Sequence, residues 1–404
     1  MAGAARYGQP VEQSQMSGQP GSTTSASSAP AAGGSGTHPA AAEAPQAPIA
    51  QPESHGAATS APEVGDTTPV SVVMPVLNEA AHLSAAVAAV LSQRWPPGLQ
   101  VVLAVGPSRD GTEAVAAELA RTDPRVVVVA NPSGRTPDAL NAAIAVTSHP
   151  IIVRVDAHSE LPPGYIATAV ETLARTGADN VGGIMWPQGR NDFERAVAVA
   201  MTSPVGVGAA SYHTGGAEGP SESVYLGAFR KSALERVGGY DPRFTRAQDW
   251  EMNHRIIDSG GLVWFTPEMR VTYRPRPTMR ALATQYFQYG QWRRVVMGLH
   301  SETLLRPSAA RYLAPPALVL GLVLSLVAGV LRLAAPERAG AVGLLIDAAI
   351  AVPAVYAVAV VLASALIGRR LAAKALVWLP LVIATMHTAW GCGFMRGARL
   401  RADR

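Results

Sequence analysis

Residues 151–158 read I-I-V-R-V-D-A-H, an apolar run that ends in Asp156 with an imidazole, His158, two residues on. Open α/β sheets bind ligands at the carboxyl ends of their strands. Alternate residues at a strand end can face the same ligand. Asp156 and His158 are therefore candidate ligands for a divalent cation held against a phosphate, and an imidazole in the set suits Mn2+ better than Mg2+. A lone D-x-H also fits a helix-capping aspartate beside a surface histidine; the apolar strand before it favours the metal reading. A second acidic cluster follows at Gln248-Asp249-Trp250-Glu251. Asp249 falls near a helix start, where the dipole favours its ionised form, and is the candidate general base. Glu251 competes with it, and a first-turn carboxylate with no chemistry is the plain alternative. A cation, a base and the apolar C-terminal segments suggest chemistry on a phosphorylated donor beside a bilayer.

The elements that must position these groups are read from periodicity. Residues 70–76, 100–105, 125–130 and 151–155 are strands; residues 79–93, 111–120 and 136–146 are helices between them, with Thr136 as N-cap. Such alternation predicts an α/β fold with a mostly parallel sheet and right-handed crossovers. Further on, residues 165–176, 193–201, 247–259 and 279–297 are helical and 180–185 a strand. Gly-rich residues 206–219 read as an irregular, mobile binding loop.

The chain has 404 residues, 15% charged and 48% hydrophobic, with a formal charge of +4. The apolar excess sits after residue 312, with basic residues clustered around it. That pattern fits a membrane surface, and no aromatic-basic strip suggests nucleic acid as a partner. Residues 1–66, rich in Ala, Gly, Pro and Ser, read as a disordered tail rather than a signal peptide. Cys392, the single cysteine, excludes an intrachain disulfide or a Cys-based zinc site. Residues 67–300 form the catalytic domain, and residues 301–404 a juxtamembrane segment and about three spans at 313–331, 348–368 and 375–395. Arg306, Arg311, Arg369, Arg370 and Lys374 place both flanks in the cytoplasm. The expected location is thus the plasma membrane, multi-pass, with a cytoplasmic catalytic domain. Three crossings then put Arg396, Arg399, Arg401 and Arg404 outside, against the same rule. Either the third segment does not cross, or the rule fails.

Several motifs resemble inverting family-2 glycosyltransferases of the GT-A fold, in the membrane-anchored branch of succinoglycan-synthesis enzymes. They are V-S-V-V-M-P-V-L-N-E, S-R-D-G-T at 108–112, N-P-S-G-R-T-P-D-A-L-N, V-D-A-H, V-Y-L-G-A-F-R-K-S-A-L-E-R-V-G-G-Y-D and Q-D-W-E. The resemblance spans residues 70–300. It implies that Pro75, Asn78, Glu79 and Asp110 line the nucleotide pocket, that Arg135 and Asn141 approach the donor, and that Asp156 and His158 hold the metal. It makes Asp249 the base, with Gln248 where the family usually has glutamate. Val105-Gly106-Pro107 replaces the usual acidic contact to the nucleobase. Residues 288–292 have the outline of the processive Q-x-x-R-W motif without its arginine; Arg293 is placed to approach a diphosphate. The implied reaction moves one sugar from a nucleotide-sugar donor to a lipid-linked or glycan acceptor with Mn2+ or Mg2+. A processive polysaccharide synthase and a catalytically inactive membrane-tethered binding protein are the alternatives. A dehydrogenase is disfavoured, since no G-x-G-x-x-G follows the first strand.

Overall fold

The computed structural model describes residues 64–65, 67–95, 98–300, 309–335 and 340–398. The N-terminal tail up to residue 63, Arg306, Arg399, Arg401 and Arg404 lie outside them.

Four strands, β1 (Val70–Val76), β2 (Leu99–Val105), β3 (Val126–Ala130) and β4 (Ile151–Arg154), pair in parallel in the order β3-β2-β1-β4. The helices α1 (Leu83–Leu91), α2 (Thr112–Thr122) and α3 (Thr136–Ala145) link them. The sheet is covered on both faces, so its strands read as continuous apolar runs. Alternation splits them between two cores. Val72, Met74, Val101, Leu103, Ile151 and Val153 pack on one side, and Val73, Val102, Ala104 and Ile152 on the other.

The remaining chain completes a mixed sheet of eight strands, ordered β3-β2-β1-β4-β7-β5-β8-β6. After α4 (Tyr165–Thr176), β5 (Asn180–Pro187), α5 (Asp192–Met201) and two single-turn helices α6 (Pro204–Val207) and α7 (Ser211–Thr214) come β6 (Gly219–Pro220) and β7 (Tyr225–Arg230). Strand β7 runs antiparallel to both β4 and β5. Helices α8 (Lys231–Arg236) and α9 (Gln248–Asp258) precede β8 (Val263–Tyr273), parallel to β5.

Several sequence expectations need correction. The first helix starts at Leu83 rather than 79, because the main chain of residues 78–80 is bonded to the neighbouring 108–112 loop. Thr136 is the first helical residue of α3; Arg135 holds the cap position with no side-chain cap bond. Residues 206–219 hold helical turns rather than a wholly irregular loop. Strands β6, β7 and β8 were not foreseen.

Helix α10 (Met279–Leu299) leads to α11 (Ala309–Ala334), α12 (Gly340–Ile367) and α13 (Ala373–Arg396). Three helices, Arg311–Ala334, Gly340–Ile367 and Ala373–Arg396, are long and apolar enough to cross a membrane. They are not equivalent: 17%, 11% and 33% of their most apolar windows are buried. The third is the most enclosed because α5, α6 and α10 pack along it. Phe193 meets Trp378 edge-on at 5.6 Å, His387 Nε2 lies 2.7 Å from the Val205 carbonyl oxygen, and Arg294 donates to the Met395 carbonyl. Glycines set the approach of α10 and α13. A Cβ at Gly290 would collide with the Trp390 carbonyl oxygen, and one at Gly393 with the Phe287 carbonyl oxygen.

Candidate active site

The carboxyl ends of β1, β2 and β4 carry Pro75, Asn78, Glu79, Asp110, Asp156 and His158; Arg135 and Asn141 follow β3, Gln248 and Asp249 begin α9, and Arg293 lies on α10. The loop after β1 turns at Asn78, whose φ of 55° is unusual for a residue with a side chain. Its Oδ1 accepts from Arg109 N at 2.8 Å. Asp110 accepts from Ala80 N at 3.1 Å and from the Thr112 hydroxyl, and Thr112 Oγ1 accepts from Glu79 N at 2.8 Å. These bonds, the Thr112 hydroxyl first, hold the Asp110 carboxyl below its usual pKa. Asn78 and Asp110 thus fasten two strand-end loops together, beside Pro75 near the end of β1.

Strand β4 delivers Arg154, Asp156 and His158. Arg154 is buried, with a side-chain exposure of 5%, and bridges two carboxylates. Its Nε and Nη2 donate to Asp156 Oδ1 at 3.2 and 3.1 Å, and its Nη1 donates to Asp249 Oδ1. The metal candidate and the base candidate, 93 positions apart in the chain, therefore share one guanidinium. The role of Arg154 escaped the sequence reading. Its signal is a cation inside an otherwise apolar central strand, where an unpaired charge would be costly.

Two features fit this pair to a cation. Both Arg154 bonds fall on Oδ1 of Asp156, leaving Oδ2 without a hydrogen bond among the described residues. His158 Nδ1 lies 3.0 Å from Glu79 Oε1, which presents Nε2 for coordination. Glu79, more than any other group, raises the His158 pKa. A second cluster, His254, Asp258 and His300, has one ligand atom each within 4.8 Å of the others, where α9 meets the end of α10.

Asp249 lies in the first turn of α9. Burial raises its carboxyl pKa, Arg154 opposes that, and Asp156 adds to it; the net direction is upward. A carboxylate moved up in this way is a better proton acceptor. Glu251, by contrast, is committed to Arg255 through two bonds of 2.6 and 2.7 Å and is buried.

Arg154, Asp156, His158, Gln248, Asp249 and Arg293 all line one cavity of about 650 Å³. The apolar helices also line it: Pro315 and Leu318 of α11, Tyr356 of α12, and Met386 and Trp390 of α13. Tyr212 and His213 of α7 close another side. Burial lowers the His213 pKa to about 4, so that ring is neutral at pH 7.

Two predicted residues are turned to other tasks. Asn141 clamps the Tyr240 main chain, donating to its carbonyl at 2.7 Å and accepting from its N–H at 2.8 Å. Arg135 pairs with Asp138 at 2.7 Å and donates to the Pro242 carbonyl. Gln291, which stands where Q-x-x-R-W has arginine, donates to the Gly397 carbonyl at 2.9 Å.

Residues 71–238 match the model for Glycosyl transferase family 2. The succinoglycan biosynthesis protein ExoA of Rhizobium meliloti is 35% identical over 224 residues, covering 55% of this chain and 68% of that one. Glycosyltransferase AglE of Haloferax volcanii is 30% identical over 223 residues, 54% of this chain and 70% of that one. Among solved structures, the mannosyltransferase PcManGT from Pyrobaculum calidifontis, in complex with GDP-Man and Mn2+, superposes with a TM-score of 0.50 at 20% identity, covering 80% of this chain and 86% of that chain. At that identity the likeness speaks to the fold, which is GT-A.

Proposed function

The chain belongs to glycosyl transferase family 2, and from that premise we propose that it moves one sugar from a nucleotide-sugar donor to a lipid-linked acceptor by a single inverting displacement. The observation that carries this reading is the shared cavity. Asp156 and Asp249 line it together with residues of all three apolar helices. A soluble acceptor has no use for a wall made of membrane helices; a sugar on a hydrocarbon carrier does. The relatives' names point the same way, toward succinoglycan synthesis in one case and transfer of a sugar onto a dolichyl-linked N-acetylglucosaminyl phosphate in another.

Asp249 accepts the proton of the attacking acceptor hydroxyl, and burial suits it to that task. Arg154 holds Asp249 and Asp156 in fixed relation, which would fix the base relative to the departing diphosphate. Asp156 and His158, steadied by Glu79, are the residues that would hold a cation, most suitably Mn2+. Bound there, it would neutralise charge on the departing diphosphate. Arg369 and Arg370 between the second and third apolar helices, with Lys374 at the start of the third, support a plasma-membrane enzyme with its catalytic domain in the cytoplasm.

The test uses membranes containing the full chain, a panel of radiolabelled UDP-, GDP- and TDP-sugars, and Mn2+. Label should enter extractable lipid with one donor. Label that stays wholly in the aqueous phase as free sugar or polymer would overturn the lipid-linked reading.

A further inference from the structure

Between Asp249 and the apolar wall of the cavity sits a pair of arginines stacked on one ring. The Arg293 guanidinium carbon lies 4.1 Å from the Tyr312 ring centroid, and that of Arg311 lies 4.7 Å from the same centroid. Arg293 also rests over Trp250, at 4.9 Å, and Trp250 directly follows Asp249 in the chain. Arg293 Nη1 is buried with no hydrogen-bond partner among the described residues. Arg311 Nη2 contacts Glu222 Oε2 at 3.3 Å and the Tyr312 hydroxyl. Glu222 offsets one charge, so the trio keeps a net positive charge.

Stacking fixes each guanidinium by its face and leaves its edge N–H groups to bond in plane, the geometry that suits phosphate oxygens. A buried guanidinium nitrogen without an acceptor is costly unless a ligand supplies one. The position along the cavity decides which phosphate. Arg154 joins the metal end to Asp249, Trp250 joins Asp249 to Arg293, and Tyr312 joins Arg293 to Arg311 at the start of α11. Pro315 and Leu318 continue that helix into the apolar wall. A lipid-linked sugar presents the same order: hydroxyl, phosphate, hydrocarbon. The donor diphosphate belongs at the other end of this series, beside Asp156 and His158.

We propose that Arg293 and Arg311, bracketing Tyr312, form the subsite for the phosphate or diphosphate of the lipid-linked acceptor. This rests on the acceptor reading above and assigns the diphosphate approached by Arg293 to the acceptor.

The experiment uses the full chain in lipid nanodiscs and isothermal titration. The probe is farnesyl diphosphate in EDTA, which removes metal-bridged binding at Asp156. Farnesol probes the hydrocarbon alone, and UDP and GDP with Mn2+ probe the donor side. Arg293→Gln and Arg311→Gln should each weaken farnesyl diphosphate at least tenfold. Farnesol and the nucleotides should stay within twofold. Arg311→Lys, which keeps the charge and loses the planar fork, should fall between and guards against a folding defect in the glutamine variant. Unchanged farnesyl diphosphate binding in both glutamine variants overturns the subsite. So does loss of nucleotide binding in Arg293→Gln with farnesyl diphosphate intact. Label transfer into lipid by the wild type is scored separately, so a failed subsite and a failed acceptor class give different results.

Discussion

Arg154 decides how the two carboxylates of the site behave. It lowers the Asp249 pKa, while burial and Asp156 raise it. The base must be ionised to accept a proton, so kcat/KM should fall on the acid side at a pH above the ordinary carboxylate value. Arg154→Met removes the lowering influence, and that acid limb should move to higher pH; a limb that stays in place or moves down would remove Arg154 from this role. Asp249→Asn should cut turnover by about 10²–10⁴-fold, with donor binding, read by nucleotide titration, largely kept. Glu79→Gln should weaken Mn2+ binding by about 10–100-fold, measured by electron paramagnetic resonance of free Mn2+ without any turnover. The placement of Asp156, His158 and Asp249 at element boundaries was legible in the sequence, because periodicity reveals those boundaries. The bridge between them was not. Arg154 stands in plain view in β4, but its partner Asp249 comes 95 residues later and only the folded chain joins them. Asn141 shows the reverse: its motif was legible, yet its amide is taken up by the Tyr240 main chain.

At the level of elements, the parallel half of the sheet could be read because each strand is a continuous apolar run followed by a helix. The antiparallel half could not. Strand β7 is six residues long and pairs with β4 and β5, neither of them next to it in the chain. No local pattern announces such pairing. The contact of α10 with α13 is likewise silent in sequence, except as glycines inside helices where alanine would be favoured. Gly290→Val and Gly393→Val each push a side chain into the facing main chain. Each should destabilise the protein by about 1–3 kcal/mol, seen as a lower Tm in detergent, whereas Gly329→Val, whose Cβ would meet nothing within 4 Å, should not.

For the whole molecule, α13 bears on how the chain meets the bilayer. Trp378 near its start touches Phe193, and Met395 near its end touches Arg294, so the catalytic domain lies along its whole length. A helix held at both ends by one domain does not need to cross. Two crossings, by α11 and α12, then keep Arg396 on the same side as Arg369, Arg370 and Lys374, and the conflict with the charge rule disappears. Exposed Cys392 on α13 provides the measurement. A membrane-impermeant maleimide should label it in inverted vesicles and not in intact cells; labelling of intact cells would instead support three crossings.

Leu318, Tyr356 and Trp390 face the reaction chamber from the anchor side. Cutting the chain after residue 300 to obtain a water-soluble fragment would therefore remove more than a tether. It would strip away a flank of the chamber and let bulk solvent reach the sugar being transferred. Such a fragment, if it folds, should squander its donor on water.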